Sequence, residues 1–418
     1  MKKLAAVILT LLFASTASAQ VIINPSTNAR MDGMGVANWE IEDDFNIFIN
    51  PAQLGNYKNN VYGELGNFIK GSGGTSSLNT PDQNNITTGS QWGGMNMDVS
   101  YGGWGVYLGR PYAGPLNLMN AGTAPTNNRF DLFYGLHGTP IGLYLSYADQ
   151  SENTKAGGTT FKDQAQEINL GAGGIFGGGM LEGALDIALP SGKCSDNAGG
   201  SVACSAGGAN TFKSDAGPSL ALLLRHHAGM GGNSKLLTTF QAQMIDSSTK
   251  DSSSSAKLEG GTTVVRLDTA LNSKPNPDTL LVAGIGIASS GTEVKCKPGC
   301  GKVTQDNLSI PVNVAIEHQT FKAVKTRVGL AKPLYNSNNC KDTIGVGACN
   351  GSVLAGAQKV NTVSDGAATV SAGLGWAVAN NLELDAVINQ DILFTGTYAI
   401  SGVAETLSSK LSATYRFK

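Results

Sequence analysis

The sequence predicts an all-β fold: an antiparallel barrel that spans a membrane, with its N-terminal segment lodged as a plug in the lumen. Three features lead there. Short segments of strict period-two alternation recur from residue 61 to the C-terminus, the connections between them are alternately long and tight, and the composition is glycine-rich with little charge.

The alternation is clear in GGMNMDVSY, where Met95, Met97, Val99 and Tyr101 share one face and Asn96, Asp98 and Ser100 the other. It returns in RFDLFYGLHG, with Phe130, Leu132, Tyr134 and Leu136 set against Asp131, Phe133 and His137, and in IGLYLSYA and LEGALDIAL. VVRLDTAL, LLVAGIGIA, LSIPVNVAI, VKTRVGLA, ATVSAGLGWAV, LELDAVINQ and LSATYRF continue it, for about sixteen strands in all.

Tight links are expected at 102–103, 138–140, 174–179, 228–233, 274–277, 319–321 and 380–381. Long connections follow residues 68, 110 and 149 among others, and the Ser-rich stretch 246–258 reads as a solvated external loop. Long loops on one side and tight turns on the other are the habit of outer-membrane barrels, whereas a soluble sandwich gives no reason for the alternation. Tyr101, Trp104, Trp376 and Tyr415 fall beside predicted periplasmic turns or the terminus, as an interfacial aromatic girdle would.

Charged residues make up only 14% of the chain and glycines number 55, which suits strands and turns better than long surface helices. The formal net charge of -2 gives no footprint for a nucleic-acid partner. The N-terminus carries Lys2 and Lys3, an apolar run from Leu4 to Phe13 and the small residues Ala17, Ser18 and Ala19, which predicts a signal peptide over 1–19 cleaved before Gln20. The domain plan is then signal peptide, hatch segment 20–56 and barrel 57–418. The expected location is the outer membrane of a Gram-negative-type bacterium.

Cys194 and Cys204, Cys296 and Cys300, and Cys340 and Cys349 form three close pairs. In an oxidising compartment, local disulfides in external loops are the economical reading, although spacing alone leaves other connectivities open. No C-x-x-C spacing and no histidine near the cysteines favours a metal, and no cofactor is expected. An enzyme is not expected either: no GxSxG elbow occurs, and His137, His226, His227 and His318 are scattered.

The polar strand faces carry Asp98, Asp131, Glu182, Asp186, Arg266, Asp268, Glu317, Lys325, Arg327, Glu383 and Asp385. With the apolar faces against lipid, these are the candidates for the lumen, because Arg or Lys on the lipid face costs about 2–4 kcal/mol at the midplane. Glu317 comes within reach of Lys325 or Arg327 across the tight turn. Residues 20–56 contain no alternating strand yet hold many large apolar side chains, which need a burial site, and the lumen is the nearest.

Within residues 29–54, Ala29-Arg30, Gly33, Gly35, Asp43-Asp44 and Asn50-Pro51-Ala52 followed by Leu54 resemble the N-terminal motif of the FadL-like outer-membrane proteins. Residues 316–334 and 373–393 are similar to that superfamily as well. It includes long-chain fatty-acid and aromatic-hydrocarbon transporters and the PorV proteins of type IX secretion. The resemblance implies fourteen strands, against sixteen by counting, and a hatch inside the barrel with Asn50-Pro51-Ala52 turning into the first strand. It also implies uptake of hydrophobic small molecules, with an apolar pocket beside the hatch to which Met31, Met34, Trp39, Phe45, Ile47 and Phe48 contribute. The alternative is a PorV-like interaction or secretion-associated protein that presents or shuttles exported partners on ordered loops, or a structural surface barrel with no transport role. The terminal alternation of Leu411, Ala413, Tyr415 and Phe417 resembles the signal read by the outer-membrane assembly machinery. Lipid and that machinery are the expected partners; nothing in the sequence sets the oligomeric state.

Overall fold

A computed structural model describes residues 27–66, 91–99, 102–110, 129–156, 159–196, 211–214, 216–246, 248–251, 257–297, 301–343, 358–364, 368–388 and 408–417. The predicted signal peptide lies outside them.

Nineteen strand segments form one antiparallel sheet. The first seven are β1 (Asn60–Gly66), β2 (Gln91–Val99), β3 (Gly102–Leu108), β4 (Arg129–Leu136), β5 (Ile141–Ala156), β6 (Thr159–Phe176) and β7 (Leu181–Asp196). Then come β8 (Thr211–Ser214), β9 (Ser219–Gly229), β10 (Ser234–Asp246), β11 (Thr249–Asp251), β12 (Lys257–Asn276) and β13 (Thr279–Lys297). The last are β14 (Gly301–Phe321), β15 (Val324–Asp342), β16 (Gln358–Ser364), β17 (Thr369–Ala379), β18 (Leu382–Ile388) and β19 (Ser408–Arg416). Three strands are interrupted: β8 with β9, β10 with β11, and β16 with β17 each share their neighbours in one continuing ladder. Sixteen strands therefore make up the wall. β1 pairs with both β2 and β19, so the barrel closes and leaves no edge. The strand count matches the sequence reading and departs from the fourteen that the family resemblance implies.

Period two decides which side chains face out. Leu143, Leu145 and Tyr147 on β5, Leu181, Leu185 and Leu189 on β7, and Ile285 and Ile287 on β13 are all exposed, while their neighbours Ala148, Glu182 and Val282 are buried. An apolar outside around a closed barrel is the surface that lipid covers. Trp104, Trp376 and Tyr415 are exposed near the tight-turn end, and Trp104 packs on Tyr134 at 4.7 Å between ring centroids. Tyr101 lies outside the described residues.

The tight-turn end holds links at 137–140, 177–180, 230–233, 277–278, 322–323 and 380–381. At the opposite end the long loop expected after residue 149 needs correction, while the segments expected to be long after residues 68 and 110 lie outside the described residues. β5 and β6 run to Ala156 and Thr159 with two residues between them, and β12, β13 and β14 reach 20, 19 and 21 residues. A tilted strand crosses the bilayer in about 9–11 residues, so these hairpins project well beyond the apolar band. The Ser-rich stretch is in part strand as well, as β11 and the start of β12. Polar Ser, Thr, Lys and Gln segments look like loops in a sequence because they bury nothing, yet a backbone ladder already started in the membrane needs no apolar side chain to continue.

Cys194, Cys296 and Cys340 sit on these projecting ends, and Cys204, Cys300 and Cys349 lie outside the described residues. The disulfide pairing thus stays an expectation.

Candidate functional site: the hatch and its sockets

The segment from Thr27 to Asn56 folds as three capped turns rather than strands. Asn28 caps the helix Ala29–Met34 by accepting from the Met31 amide, and Gly35, at φ 63°, ends it in the left-handed region that an L side chain avoids. Asp43 and Asn46 form a reciprocal capping box on the 3-10 turn Asp44–Phe48. Asn50 caps a second 3-10 turn, Pro51–Gly55, with Pro51 at its first position, where the missing N–H costs nothing.

This unit occupies the lumen. The helix lies on β15, β17 and β18, and the second 3-10 turn lies against β3, β4, β5 and β6. Contact is so close that the wall has no room for a Cβ. One added at Gly329 would sit 1.7 Å from the Met34 carbonyl oxygen, and one at Gly142 would sit 2.2 Å from the Pro51 carbonyl carbon. Gly33 of the hatch and Gly373 of β17 meet backbone to backbone. Part of the glycine-rich composition is thus the imprint of the hatch on the wall.

Met31, Met34, Trp39, Phe45, Ile47 and Phe48 are all buried. Phe45 and Phe48 insert edge-on into a cluster of wall aromatics, with centroids 4.7 Å from Phe45 to Tyr62, 4.9 Å from Phe48 to Tyr107 and 5.4 Å from Phe48 to Phe133. The apolar pocket expected beside the hatch is therefore corrected: these side chains fill the space instead of lining it, because the aromatics of β1 to β5 reach in to meet them. Each such burial stabilises by about 1.5–3 kcal/mol. The cavity of about 500 Å³ that does flank the hatch, at the tight-turn end, is polar and is bordered by Arg30, Asp43, Asp44, Lys325, Glu383 and Arg416.

Charge fixes the orientation. Arg30 donates to Asp43 at 2.7 Å within the hatch and to both oxygens of Glu317 on β14, each at 2.9 Å. Glu317 also accepts from Arg327 on β15 at 2.5 Å, and Arg327 reaches Asp385 on β18 at 2.6 Å. Arg327 passes over β17 at Gly375, where a Cβ would lie 2.6 Å from the guanidinium. Lys325 holds Glu383 at 2.8 Å.

A second ladder stands at another point of the wall. Glu182 on β7 accepts from Arg225 on β9 at 2.8 Å and from the hatch Asn50 at 3.0 Å, and meets His227 at 2.5 Å. Arg225 donates to the hatch Asn46 at 3.2 Å, while the hatch Glu42 takes His227 at 3.3 Å and Lys235 at 2.9 Å. Elsewhere Asn313 donates to Glu40, and Lys410 holds the hatch Asp32 at 2.7 Å and Glu64 of β1 at 3.1 Å.

The hatch carboxyls respond to these settings. Hydrogen bonding from His227, and after it from Lys235, brings Glu42 down to about 2. Burial raises Glu40. Burial opposes ionisation of Asp43, but the Arg30 guanidinium beside it holds the carboxyl below its usual range. Asp44 goes the other way: burial and then the adjacent Asp43 carboxylate push it well above 3.8. A seated hatch therefore keeps a proton that a released one gives up, so seating weakens as pH rises from 3.8 toward neutrality. Asp44→Asn removes this loss. The variant hatch is expected to resist limited proteolysis better than the original at pH 7, with little difference at pH 4, and equal resistance at pH 7 would contradict the assignment.

Of the hatch residues singled out from sequence, Arg30, Asp43 and Asp44 are in or beside the first ladder, Gly33 and Gly35 make the close approach and the helix stop, and Asn50, Pro51 and Ala52 form the turn against β5 and β6. Of the wall residues, Asp131, Glu182, Asp268, Glu317, Arg327 and Asp385 are buried, and Asp186, Arg266, Lys325 and Glu383 are half-buried. Asp131 binds Arg110 and Arg129 rather than the hatch, and Arg110 stacks on Phe48 at 4.4 Å. Arg266 pairs with Asp268 and stacks on Trp39 at 4.9 Å. Asp98 is the exception: it stands at the rim, 40% exposed and paired with Lys58, because β2 ends one residue later.

Sequence reasoning missed Arg225 and His227, Glu64, Lys410 and Arg110. Alternation on β9 does show the first: Leu220, Leu222 and Leu224 face out, so Arg225 and His227 must face in.

No family model matches this chain, and no curated protein is similar to it. Among solved structures it resembles the toluene transporter TbuX of Ralstonia pickettii, at 10% identity over 94% of this chain and 99% of that one, with a TM-score of 0.36. It also resembles the ferripyoverdine receptor of the outer membrane of Pseudomonas aeruginosa, at 9% identity over 79% and 42% of the two chains, with a TM-score of 0.38. A third is the translocator domain of the autotransporter NalP from Neisseria meningitidis, at 14% identity over 66% and 88%, with a TM-score of 0.26. The chain spans a little under half the length of the siderophore receptors it resembles. At these identities the likeness is one of barrel architecture.

Proposed function

We propose that this chain is an outer-membrane transport barrel for hydrophobic small molecules, held shut at rest by its hatch and working without covalent chemistry. One observation carries the solute class. An apolar cleft of about 630 Å³ on the wall is bordered by Leu65, Leu108, Leu384 and Leu411, whose strand neighbours face the lumen, and by Trp92. Leu65, Leu108 and Leu411 are exposed on the lipid-facing side, while Trp92 is buried and its ring lies 5.5 Å from that of the hatch Phe45. An apolar solute dissolved in the membrane thus meets an apolar cleft on the lipid side of the wall, and on the lumen side of the same strands lies the aromatic cage around Phe45 and Phe48, whose displacement is what loosens the hatch.

The cleft exists because Gly63 and Gly93 carry no side chain. Gly63 has open space around it, with nothing within 4 Å of an added Cβ, so Gly63→Phe fills the cleft without disturbing the wall. In proteoliposomes the variant is expected to insert as a normal, heat-modifiable barrel and to lose uptake of a fluorescent hydrophobic probe. Undiminished uptake by a folded Gly63→Phe barrel would defeat this route.

A further inference from the structure

His227 stands where the hatch meets the wall, and it touches a carboxylate on each. Its Nδ1 lies 3.3 Å from Oε1 of the hatch Glu42, and its Nε2 lies 2.5 Å from Oε1 of Glu182 on β7. Among the described residues it is the only histidine in contact with a carboxylate. His318 meets Thr279, His137 is exposed beside a tight turn, and His226 faces outward with Leu222 and Leu224.

An ionised carboxylate only accepts. A neutral imidazole has one N–H, so between two such acceptors it serves one and turns a lone pair toward the other, whereas an imidazolium donates to both. The arrangement therefore fits the charged ring. The two contacts are unequal, and this decides what the proton controls. The shorter one stays within the wall, where Glu182 also accepts from Arg225 and is 1% exposed, and the longer one is the tie to the hatch. When the proton leaves, the remaining N–H stays with Glu182 and a lone pair faces Glu42. The wall keeps its ladder and the hatch loses a tie.

The groups around the ring come from four directions. On its own strand Arg225 donates to Glu182 and to Asn46. On β7, besides Glu182, the Met180 carbonyl accepts from the His227 amide. On β10 the apolar Leu237 is directly opposite, and Lys235 holds Glu42 at 2.9 Å. From the hatch come Glu42, held down at about 2, and along the same cavity Asp43, Asp44 and Tyr57, whose hydroxyl burial raises and keeps neutral. Asp44, whose carboxyl burial pushes well above 3.8, is the second group there that carries a proton into a milder pH range. Access is from the tight-turn end: Glu42 is 43% exposed and borders the polar cavity of about 500 Å³.

We propose that His227 is a proton-operated latch, which ties the hatch Glu42 to the wall Glu182 while charged and releases the hatch on that side when its proton leaves. Lys235 keeps a separate hold on Glu42, so the latch grades the seating of the hatch and does not set it alone. Seating and the ring proton support each other by linkage. The latch's contribution is complete below the titration range of an imidazole and is lost as pH rises through it, at about pH 6.5–7.5. This device concerns the hatch and is independent of the solute that passes.

The test uses the full-length protein carrying Asp44→Asn, which removes the other proton-holding carboxyl beside the latch. Amide exchange across residues 27–49, corrected for the chemical exchange rate at each pH, is followed at pH 5.5 and pH 8. The quickening between the two is expected to be about five-fold larger in this protein than in its His227→Gln derivative, the size of a partly exposed ion pair. Glu40, raised by burial, is present in both and cancels in the comparison. His226→Gln in the same background keeps the whole change. His227→Lys supplies a permanent cation and holds exchange as slow at pH 8 as at pH 5.5. Unchanged exchange in β12 to β14 shows that each barrel is folded.

Two results would overturn the inference. One is the same pH factor with and without His227, since a merely structural contact quickens exchange equally at both pH values. The other is a hatch that His227→Lys releases at pH 8 as readily as the histidine does.

Discussion

Deleting residues 21–48 is expected to leave a folded barrel whose single-channel conductance in planar bilayers is several times that of the intact protein. A sixteen-stranded wall is wide enough for an aqueous channel, and here the lumen is filled by one short segment. The deletion removes Met31, Met34, Trp39, Phe45, Ile47 and Phe48, all buried in that lumen, and leaves Glu182, Arg225, Glu317 and Arg327 on a wall that water can then reach. Those four remain paired with one another, Glu182 with Arg225 and Glu317 with Arg327, so the wall keeps its own ladders without the hatch. Heat-modifiable migration checks that the shortened barrel is folded. Equal conductance from both forms would remove the hatch from any gating role.

Arg30→Met is expected to give the next largest effect. It takes away the only cation that touches both Asp43 in the hatch and Glu317 in the wall, among the described residues. Breaking one side of a buried pair costs about 3–5 kcal/mol, and since the Arg30 side chain is 22% exposed the lower end applies. The loss falls on hatch seating rather than on the barrel, because Arg327 still holds Glu317. Amide exchange across residues 27–49 should therefore quicken by at least about a hundred-fold, a factor of ten for each 1.4 kcal/mol, while exchange in β12 to β14 is unchanged. Arg30→Lys should fall between the two, keeping one ion pair and losing the paired bonds to Glu317. Unaltered exchange in the hatch of Arg30→Met would show that packing alone seats it.

The fold class was legible because period two is a local property. Once Leu143, Leu145 and Tyr147 are seen to alternate with small or polar neighbours, the face they share follows from strand geometry, and sixteen such segments linked by alternate tight turns close a barrel. The hatch was legible for a related reason, since a run of large apolar side chains without a strand or helix period has to be buried by something else. Caps at Asn28, Asp43 and Asn50 are local as well, and their residue types are the ones that satisfy free amides at the start of a turn.

Contacts between segments far apart in the chain were not legible. Nothing near Glu317 in sequence says that Arg30, 287 residues away, completes its ion pairs. Nor does His227, beside the outward-facing His226, declare that it stands between Glu42 and Glu182. The same limit hid why Gly329, Gly142 and Gly373 are glycines, since the reason is a hatch backbone lying against each of them. By itself the sequence determined which faces are apolar and where the chain turns, because those depend on spacing along one strand. Only the tertiary structure decided which charges meet and which glycines lie under the hatch, because pairing partners across a closed barrel is a matter of register and curvature that no local spacing contains.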